Sequence, residues 1–545
     1  MSDSWLTPAE SALVAAPDRH FDWIAYVRAH AVWIVAVLAL AASITSVFNG
    51  FALDDVHIIF ENDRIHSLRN IPHLFAETYW PPIEGASLYR PLTMVAFTLE
   101  WVMGKGSPLP FHIANIVLYS LVCVAFFRLV RAFVELDTAI LASALFAVHP
   151  IHSEAVANSV GQAELFVALF LFVAMERYIR ARQNGALEWS DAATIVALYV
   201  AGCLSKEHAL VLPGLLIACE VVIRNEGENP GRRLRRVAPL IVVMGIAAIA
   251  FMAVRTGVVG RLRVGGSNDL LDGQPFSTRI FTMLNVMLDW LRLLIFPAQL
   301  SADYSYPRTQ RATAPELTML PGLLVIAGLA VLAWRCRRDK PAITMAILWI
   351  AVTMAIPSNL IMVTGFVLAE RTLFLASGAV TILAAIGFFE IWKRRNPGEK
   401  STTDILQVVV ALALVLGAAR MATRNLVWRD NETLFTHTVE DVPLSSRAHW
   451  MLAEHYAMTN RQREGADEMM LAIALGPKNS FGLVRFGAEQ IARGGMCSRA
   501  MPLFRRAMAL APKEDPALRH DAGQCLRILG MVDEAVAVES GGAIR

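Results

Sequence analysis

The sequence predicts an all-α chain, a polytopic membrane helix bundle of about eleven spans followed by a short soluble helical-repeat solenoid. Three observations predict it. Of 545 residues, 55% are hydrophobic and only 18% charged, where a soluble domain carries about 25% charge. The apolar residues fall in runs of membrane-helix length and stop near Met421. From Thr423 onward the pattern turns amphipathic, with a 34-residue unit at 446–479. A single soluble core is excluded, because cores stop growing near roughly 250–300 residues. The net charge of +2 excludes a strongly basic nucleic-acid binder and an acidic tail protein. Six cysteines without CxxC or Cys/His spacing exclude a disulfide scaffold and a zinc module.

The membrane part is 1–421 and the soluble part 422–545. The first apolar run, Ala31 to about Val47, follows Arg19 and Arg28 without a small-residue cleavage site. It reads as a retained anchor with a cytoplasmic N-terminus. A large acidic loop, 51–110, comes next. Further spans are expected at about 111–134, 136–149, 158–176, 191–204, 207–223, 237–254, 316–334, 341–362, 372–392 and 404–421. Several fall short of the roughly twenty residues a perpendicular helix needs, which implies kinks or burial among neighbours. The stretches 91–103 and 280–296 are read as helices lying at the far surface or re-entering it.

Arginine sorts the loops. It is dense at Arg128 and Arg131, at Arg177–Arg182, at Arg224–Arg236, at Arg335–Lys340 and at Lys393–Lys400. Placing these in the cytoplasm closes the alternation and sends the 51–110 loop and the C-terminal part to the other side. His149, His152, Glu154, Lys206, Glu207, Glu370, Arg371, Asp54 and Asp55 then gather at non-cytoplasmic helix ends. Ionisable groups at membrane depth are costly and mark function.

The unit at 446–479 pairs two helices through Leu452, Ala453, Tyr456, Met469 and Ala472, with Pro477 near its end. It resembles a tetratricopeptide repeat, TPR. A second unit runs through Phe486, Ala500, Phe504 and Pro512, and a third from Pro516 through Gly523, Gly530 and Ala535. A half unit, Trp428–Phe435, precedes them. Such arrays present a concave face to peptides or act as spacers. Cys497 and Cys525 could be joined in an oxidising compartment, but unpaired core cysteines are the expectation.

Asp54 and Asp55 sit just past the first span. A carboxylate there can serve as general base toward an incoming hydroxyl, and its neighbour can raise its proton affinity, hold a cation or orient substrate. The ordered set Asp54-Asp55, Glu61-Asn62-Asp63, Tyr89-Arg90-Pro91-Leu92, Phe111-His112-Ile113-Ala114-Asn115, His149-Pro150-Ile151-His152-Ser153-Glu154, Gly161-Gln162-Ala163-Glu164, Leu204-Ser205-Lys206-Glu207, Pro357-Ser358-Asn359-Leu360 and Ala369-Glu370-Arg371-Thr372-Leu373 resembles the transmembrane and tetratricopeptide-containing (TMTC-like) O-mannosyltransferases. The likeness covers nearly the whole chain in order.

The resemblance implies the GT-C fold of polytopic glycosyltransferases. It also implies a sugar donor carried on polyprenyl or dolichyl phosphate, and inverting transfer to Ser/Thr hydroxyls of exported proteins. The acidic motif would supply the base, here Asp54 or Asp55, with Asp54 preferred and Asp55 its helper. Developing charge on the leaving phosphate calls for cations, and Arg371, Lys206 and Arg90 are the candidates. His149, His152, Glu154, Tyr89, Glu370 and Glu207 are expected to line the substrate pocket, and Tyr89 or Trp80 to stack on a sugar or anchor the interface. The resemblance makes no cofactor certain; the Asp54–Asp55 pair could hold a divalent metal, but none is expected. A usually basic motif position holds Gln162, which puts any ionic role there in question. With seven lysines among 49 basic residues, the arginine-rich charge points to a GC-rich bacterium. The chain would then sit in the bacterial inner membrane with the repeats in the periplasm, where they could receive the acceptor protein. Transfer to a surface glycan or lipid, and a non-enzymatic repeat scaffold, are the competing readings.

Overall fold

The computed structural model describes residues 23–81, 88–223, 229–260, 270–305, 308–395, 405–477, 480–511 and 514–542. Arg19, Arg224, Lys400 and Pro512 of the sequence reading lie outside them. Every regular element among the described residues is helical. Among the described residues, seven helices are long and apolar enough to cross a membrane: Ala31–Phe48, Leu109–Arg131, Ser159–Gln183, Gly231–Val259, Leu317–Cys336, Glu370–Arg395 and Ile405–Val427. The pair Leu136–Ala147 and Pro150–Ala157 forms an eighth if read as one span bent by 49°. The bend has a local cause. Pro150 lacks an N–H and forces His149 out of the helical region, to φ −73° and ψ 118°. Three shorter apolar helices, Trp189–Ser205, Glu207–Cys219 and Pro341–Thr353, occupy the remaining segments expected to span.

Small residues let these helices approach closely. A Cβ on Gly378 would meet the Phe126 ring at 2.8 Å, and one on Gly202 would meet Ala209 at 2.9 Å. The outer helices instead display apolar side chains. Val408, Val409, Leu412, Val415 and Leu416 on Ile405–Val427 are all exposed, as suits a helix facing lipid. The helices Pro91–Gly104 and Phe276–Ile295 are not among the spans. Phe276–Ile295 buries Met283, Val286, Trp290 and Leu293 against Leu300, Leu368 and Leu373, and exposes Phe276 and Ile295.

The first loop has its own small core. Ile58, Ile59, Ile65, Leu74, Tyr79, Met94 and Phe97 pack on Phe111 and Val160. The loop is therefore a folded cap seated on the bundle. The boundary at 421/422 needs correcting, because it falls inside the last spanning helix, which continues to Val427. The composition changes there as the helix leaves its apolar surroundings, and the added turns are held by Arg424, paired with Asp441 at 2.9 Å, and by buried Asn425.

Asn431–Asp441 follows, then three helical hairpins. These are Ser446–Met458 with Gln462–Leu475, Phe481–Arg493 with Cys497–Leu510, and Pro516–Ile528 with Val532–Glu539. Ala453, Met469 and Ala472 pack in the first, as expected, and Ala500, Phe504 and Ala535 continue the core. A second correction concerns the cysteines. Cys497 and Cys525 are joined, with their Cα atoms 5.1 Å apart, so the bond ties the second hairpin to the third. Closing a loop across a 28-residue separation stabilises by about 3.5 kcal/mol on the chain-entropy account. The Cys497→Ser/Cys525→Ser variant is thus expected to melt its repeats several degrees earlier. Circular dichroism checks this, and reductant should lower the wild-type midpoint without affecting the variant.

Candidate functional site

The acidic loop is built by a sharp turn. Leu53 takes a left-handed φ of 55°, an unusual state for a branched side chain, and the backbone then runs helically through Asp54 and Asp55, whose side chains leave in different directions. Asp55 points inward and is fully buried. Its carboxylate accepts the Ser159 N–H at 3.0 Å and the Val160 N–H at 2.8 Å. Asp54 stays partly open, its side chain 19% exposed, with Oδ2 3.5 Å from the Arg371 guanidinium. The structure separates two residues between which the sequence gave only a preference for Asp54: Asp55 clamps the loop to the bundle and Asp54 faces Arg371.

Arg371 enters from the first turn of Glu370–Arg395. Its backbone N–H donates to Glu154 Oε2 at 2.8 Å, and its guanidinium lies 3.2 Å from Glu154 Oε1. Glu154 reaches it because the Pro150 bend starts a new turn at that level. Arg371 therefore bridges two carboxylates from distant segments, and the Phe366 ring lies 5.0 Å from its Cζ.

Further cations stand behind it. Lys206 pairs with buried Glu164, which also meets His208 at 3.2 Å. Arg90 pairs with Glu207 at 3.1 Å and lies 5.1 Å from the Tyr79 ring centroid. Arg90 and Arg371 both act electrostatically on Lys206, which places the three expected phosphate-binding cations in one region. Arg255 was missed by the sequence reading. It is fully buried in Pro230–Val259 and sits 3.7 Å from Glu207. An arginine inside a long apolar run was its signal.

Several residues expected to line a substrate pocket are instead consumed by packing. His152 is buried, with Nδ1 on the Tyr119 hydroxyl and Nε2 on the Ser377 hydroxyl, both at 2.8 Å. His149 engages the Leu294 carbonyl at 3.1 Å. Tyr89 is buried and donates to the Phe75 carbonyl. Glu370 accepts from the Ser301 N–H at 2.7 Å and the Tyr304 hydroxyl at 2.6 Å, and Glu207 lies between Arg90 and Arg255. These groups hold the frame. Of the expected substrate-binding set, the structure leaves Glu154 beside Asp54 and Arg371. Asp55 gives both oxygens to backbone N–H groups, and Asp54 faces a guanidinium.

Gln162, at the questioned motif position, donates to Glu100 at 2.7 Å and to Asn115 at 3.1 Å. Burial pushes the Glu100 carboxyl up to about 8, against this neutral donor alone. Burial likewise pushes Asp55 up to about 7, although its two backbone donors pull the other way. Both groups keep a proton in the fold that the unfolded chain gives up near 3.8 for Asp55 and 4.5 for Glu100. Their contribution to stability is therefore complete below those values and is lost as pH rises through about 7 and 8. The thermal midpoint in detergent is expected to fall from about pH 5 to about pH 9, and Glu100→Gln to flatten the upper part of that decline. A pH-independent midpoint would contradict it.

No family model matches the chain. Its curated relatives are protein O-mannosyl-transferases. The TMTC3 protein of Mus musculus is 27% identical over 519 residues, covering 82% of this chain and 54% of that protein. Homo sapiens TMTC3 is 28% identical over 433 residues, covering 72% and 45%. Caenorhabditis elegans F38B6.6, also named a protein O-mannosyl-transferase, is 24% identical, covering 82% and 62%. The chain spans about half the length of the two TMTC3 proteins. Among solved structures, the oligosaccharyltransferase AglB of Archaeoglobus fulgidus, in complex with an inhibitory peptide and a dolichol-phosphate, covers 75% of this chain and 56% of its own. It does so at 12% identity and a TM-score of 0.41.

Proposed function

We propose that the chain is an integral-membrane inverting glycosyltransferase. It would move mannose or another hexose from a polyprenyl-phosphate carrier to Ser/Thr hydroxyls of exported proteins. One observation carries the reading. Asp54, partly open, faces Arg371 at a place where the nearby carboxylates Asp55, Glu164, Glu207 and Glu370 are engaged by protein donors. The TMTC relatives' name supports the same class.

The step balances simply. Asp54 takes the proton of the acceptor hydroxyl as that oxygen bonds to the anomeric carbon. The bond from that carbon to the phosphate oxygen breaks on the opposite side, which inverts the centre. The phosphate leaves as an anion, and Arg371, Lys206 and Arg90 neutralise it. Arginine suits a bidentate phosphate contact and lysine a point charge. In this reading the helical hairpins are TPR units that receive the acceptor protein, and the membrane is the bacterial inner membrane. The Cys497–Cys525 bond supports placing the hairpins in the oxidising periplasm.

Glycoproteomics of a strain lacking the gene tests the proposal. Hexose should vanish from Ser/Thr peptides of exported proteins. Intact glycopeptides with loss of hexose from an envelope glycan or lipid would move the acceptor to that class. No change in any glycan would favour a scaffold.

A further inference from the structure

The ends of the first and last spans are stitched together beside the acidic loop. The Thr45 hydroxyl donates to the Ala422 carbonyl at 2.7 Å, and the Asn49 amide donates to the Asn425 carbonyl at 2.9 Å. The Asn425 amide returns a bond to the Ala42 carbonyl at 3.1 Å. The seam then runs into the loop. Gly50 donates its N–H to the Arg429 carbonyl at 2.7 Å, so closely that a Cβ on Gly50 would lie 3.2 Å from that oxygen. One step further, the Leu53 N–H donates to Asn431 Oδ1 at 2.6 Å.

This last bond falls on the residue that most needs support. Leu53 holds the left-handed φ of 55°, which persists only where surroundings impose it. Its neighbours find partners within the loop, Asp55 N–H on Ala52 and Val56 N–H on Leu53. The Leu53 N–H is satisfied from outside, by the C-terminal part. Asn431 is itself fixed. It is the first residue of Asn431–Asp441, whose start is capped by Asp430 accepting the Thr433 N–H at 2.8 Å. Beneath it, Trp428, Leu434 and Leu452 pack with Ala52 and Ala157 in one apolar cluster.

We infer that Asn431 is a positioning residue for Asp54. Through the Leu53 N–H it holds the left-handed turn that aims the carboxylate at the site, so that the turn entering the repeats completes the site in the membrane part. This rests on the reading of Asp54 as the base. The repeat array is then coupled to chemistry through its first turn, independently of any acceptor it holds. A side chain that keeps an acceptor oxygen at this position preserves the turn, and one that loses it frees Leu53 to relax.

The test uses the full chain in proteoliposomes with a labelled polyprenyl-phosphate mannose and an acceptor peptide mixture. Asn431→Ala is expected to lower kcat at least tenfold while the donor KM stays within twofold and the protein remains monodisperse. Asn431→Asp keeps the acceptor oxygen and should restore most of the plateau rate. A purely structural asparagine would instead lower the thermal midpoint of Asn431→Ala and leave kcat unchanged. Wild-type kcat in Asn431→Ala would overturn the proposal, and so would an Asn431→Asp plateau as low as the alanine variant's. If Asn431→Ala does not fold, the aspartate variant decides alone, and a tenfold loss of kcat in monodisperse Asn431→Asp refutes the coupling. Asp54→Asn run alongside separates the two failures. An inactive Asp54→Asn with normal Asn431 variants removes only the positioning role, whereas an active Asp54→Asn removes the base and this inference with it.

Discussion

Asp54→Asn is expected to lower transfer by roughly 10²–10⁴-fold, the range supplied by a positioned general base. The variant should fold and bind donor normally, because the Asp54 side chain is partly open and its contact with Arg371 is long, at 3.5 Å. Asp55→Asn is expected to fail differently. Both Asp55 oxygens accept backbone N–H groups, so an amide would set an NH2 against one of those donors. That costs on the order of 1–3 kcal/mol, seen as a lower unfolding midpoint and a poorer yield, with turnover lost only as far as the loop loosens. Steady-state rates measured with thermal midpoints on both variants distinguish chemistry from clamp. A stable, inactive Asp55→Asn beside an active Asp54→Asn would reverse the assignment.

Arg371 carries the second large effect. Its guanidinium lies between Asp54 and Glu154 and shares its region with Lys206 and Arg90. Arg371→Ala leaves two carboxylates uncompensated, and breaking a buried pair from one side costs about 3–5 kcal/mol. That variant should express poorly. Arg371→Lys is the informative one. It keeps the charge but cannot span both carboxylates and a phosphate. It should fold, lose roughly 10–100-fold in kcat/KM and bind donor more weakly. Wild-type kinetics in Arg371→Lys would remove Arg371 from phosphate stabilisation.

The sequence carried the architecture because membrane burial writes itself into composition. Apolar runs, arginine-rich loops and a 34-residue amphipathic unit each have one physical source, and all are visible without coordinates. Asp54, Arg371 and Glu154 were legible as scarce charges at helix ends. What was not legible was orientation. Asp54 and Asp55 are chemically identical, and which one turns inward depends on how the turn at Leu53 seats the chain against Ser159 and Val160. His152 and Glu370 look like site residues until Tyr119, Ser377 and Tyr304, remote in sequence, occupy their polar atoms. Asn431 lies in the half unit Trp428–Phe435, but its partner was not legible there, since it is a backbone amide 378 residues away. The Cys497–Cys525 bond was left as the less favoured alternative for the same reason: spacing alone does not say which helix faces meet.

The most direct test of the central claim is donor selectivity of the purified wild-type chain. In proteoliposomes, labelled mannose offered on polyprenyl phosphate should be transferred to Ser/Thr-containing acceptor peptides with inversion at the anomeric carbon. Labelled nucleotide-linked mannose, offered alone on the side where the repeats lie, should not be used. Efficient transfer from the nucleotide sugar, or retention of the anomeric configuration, would contradict the account.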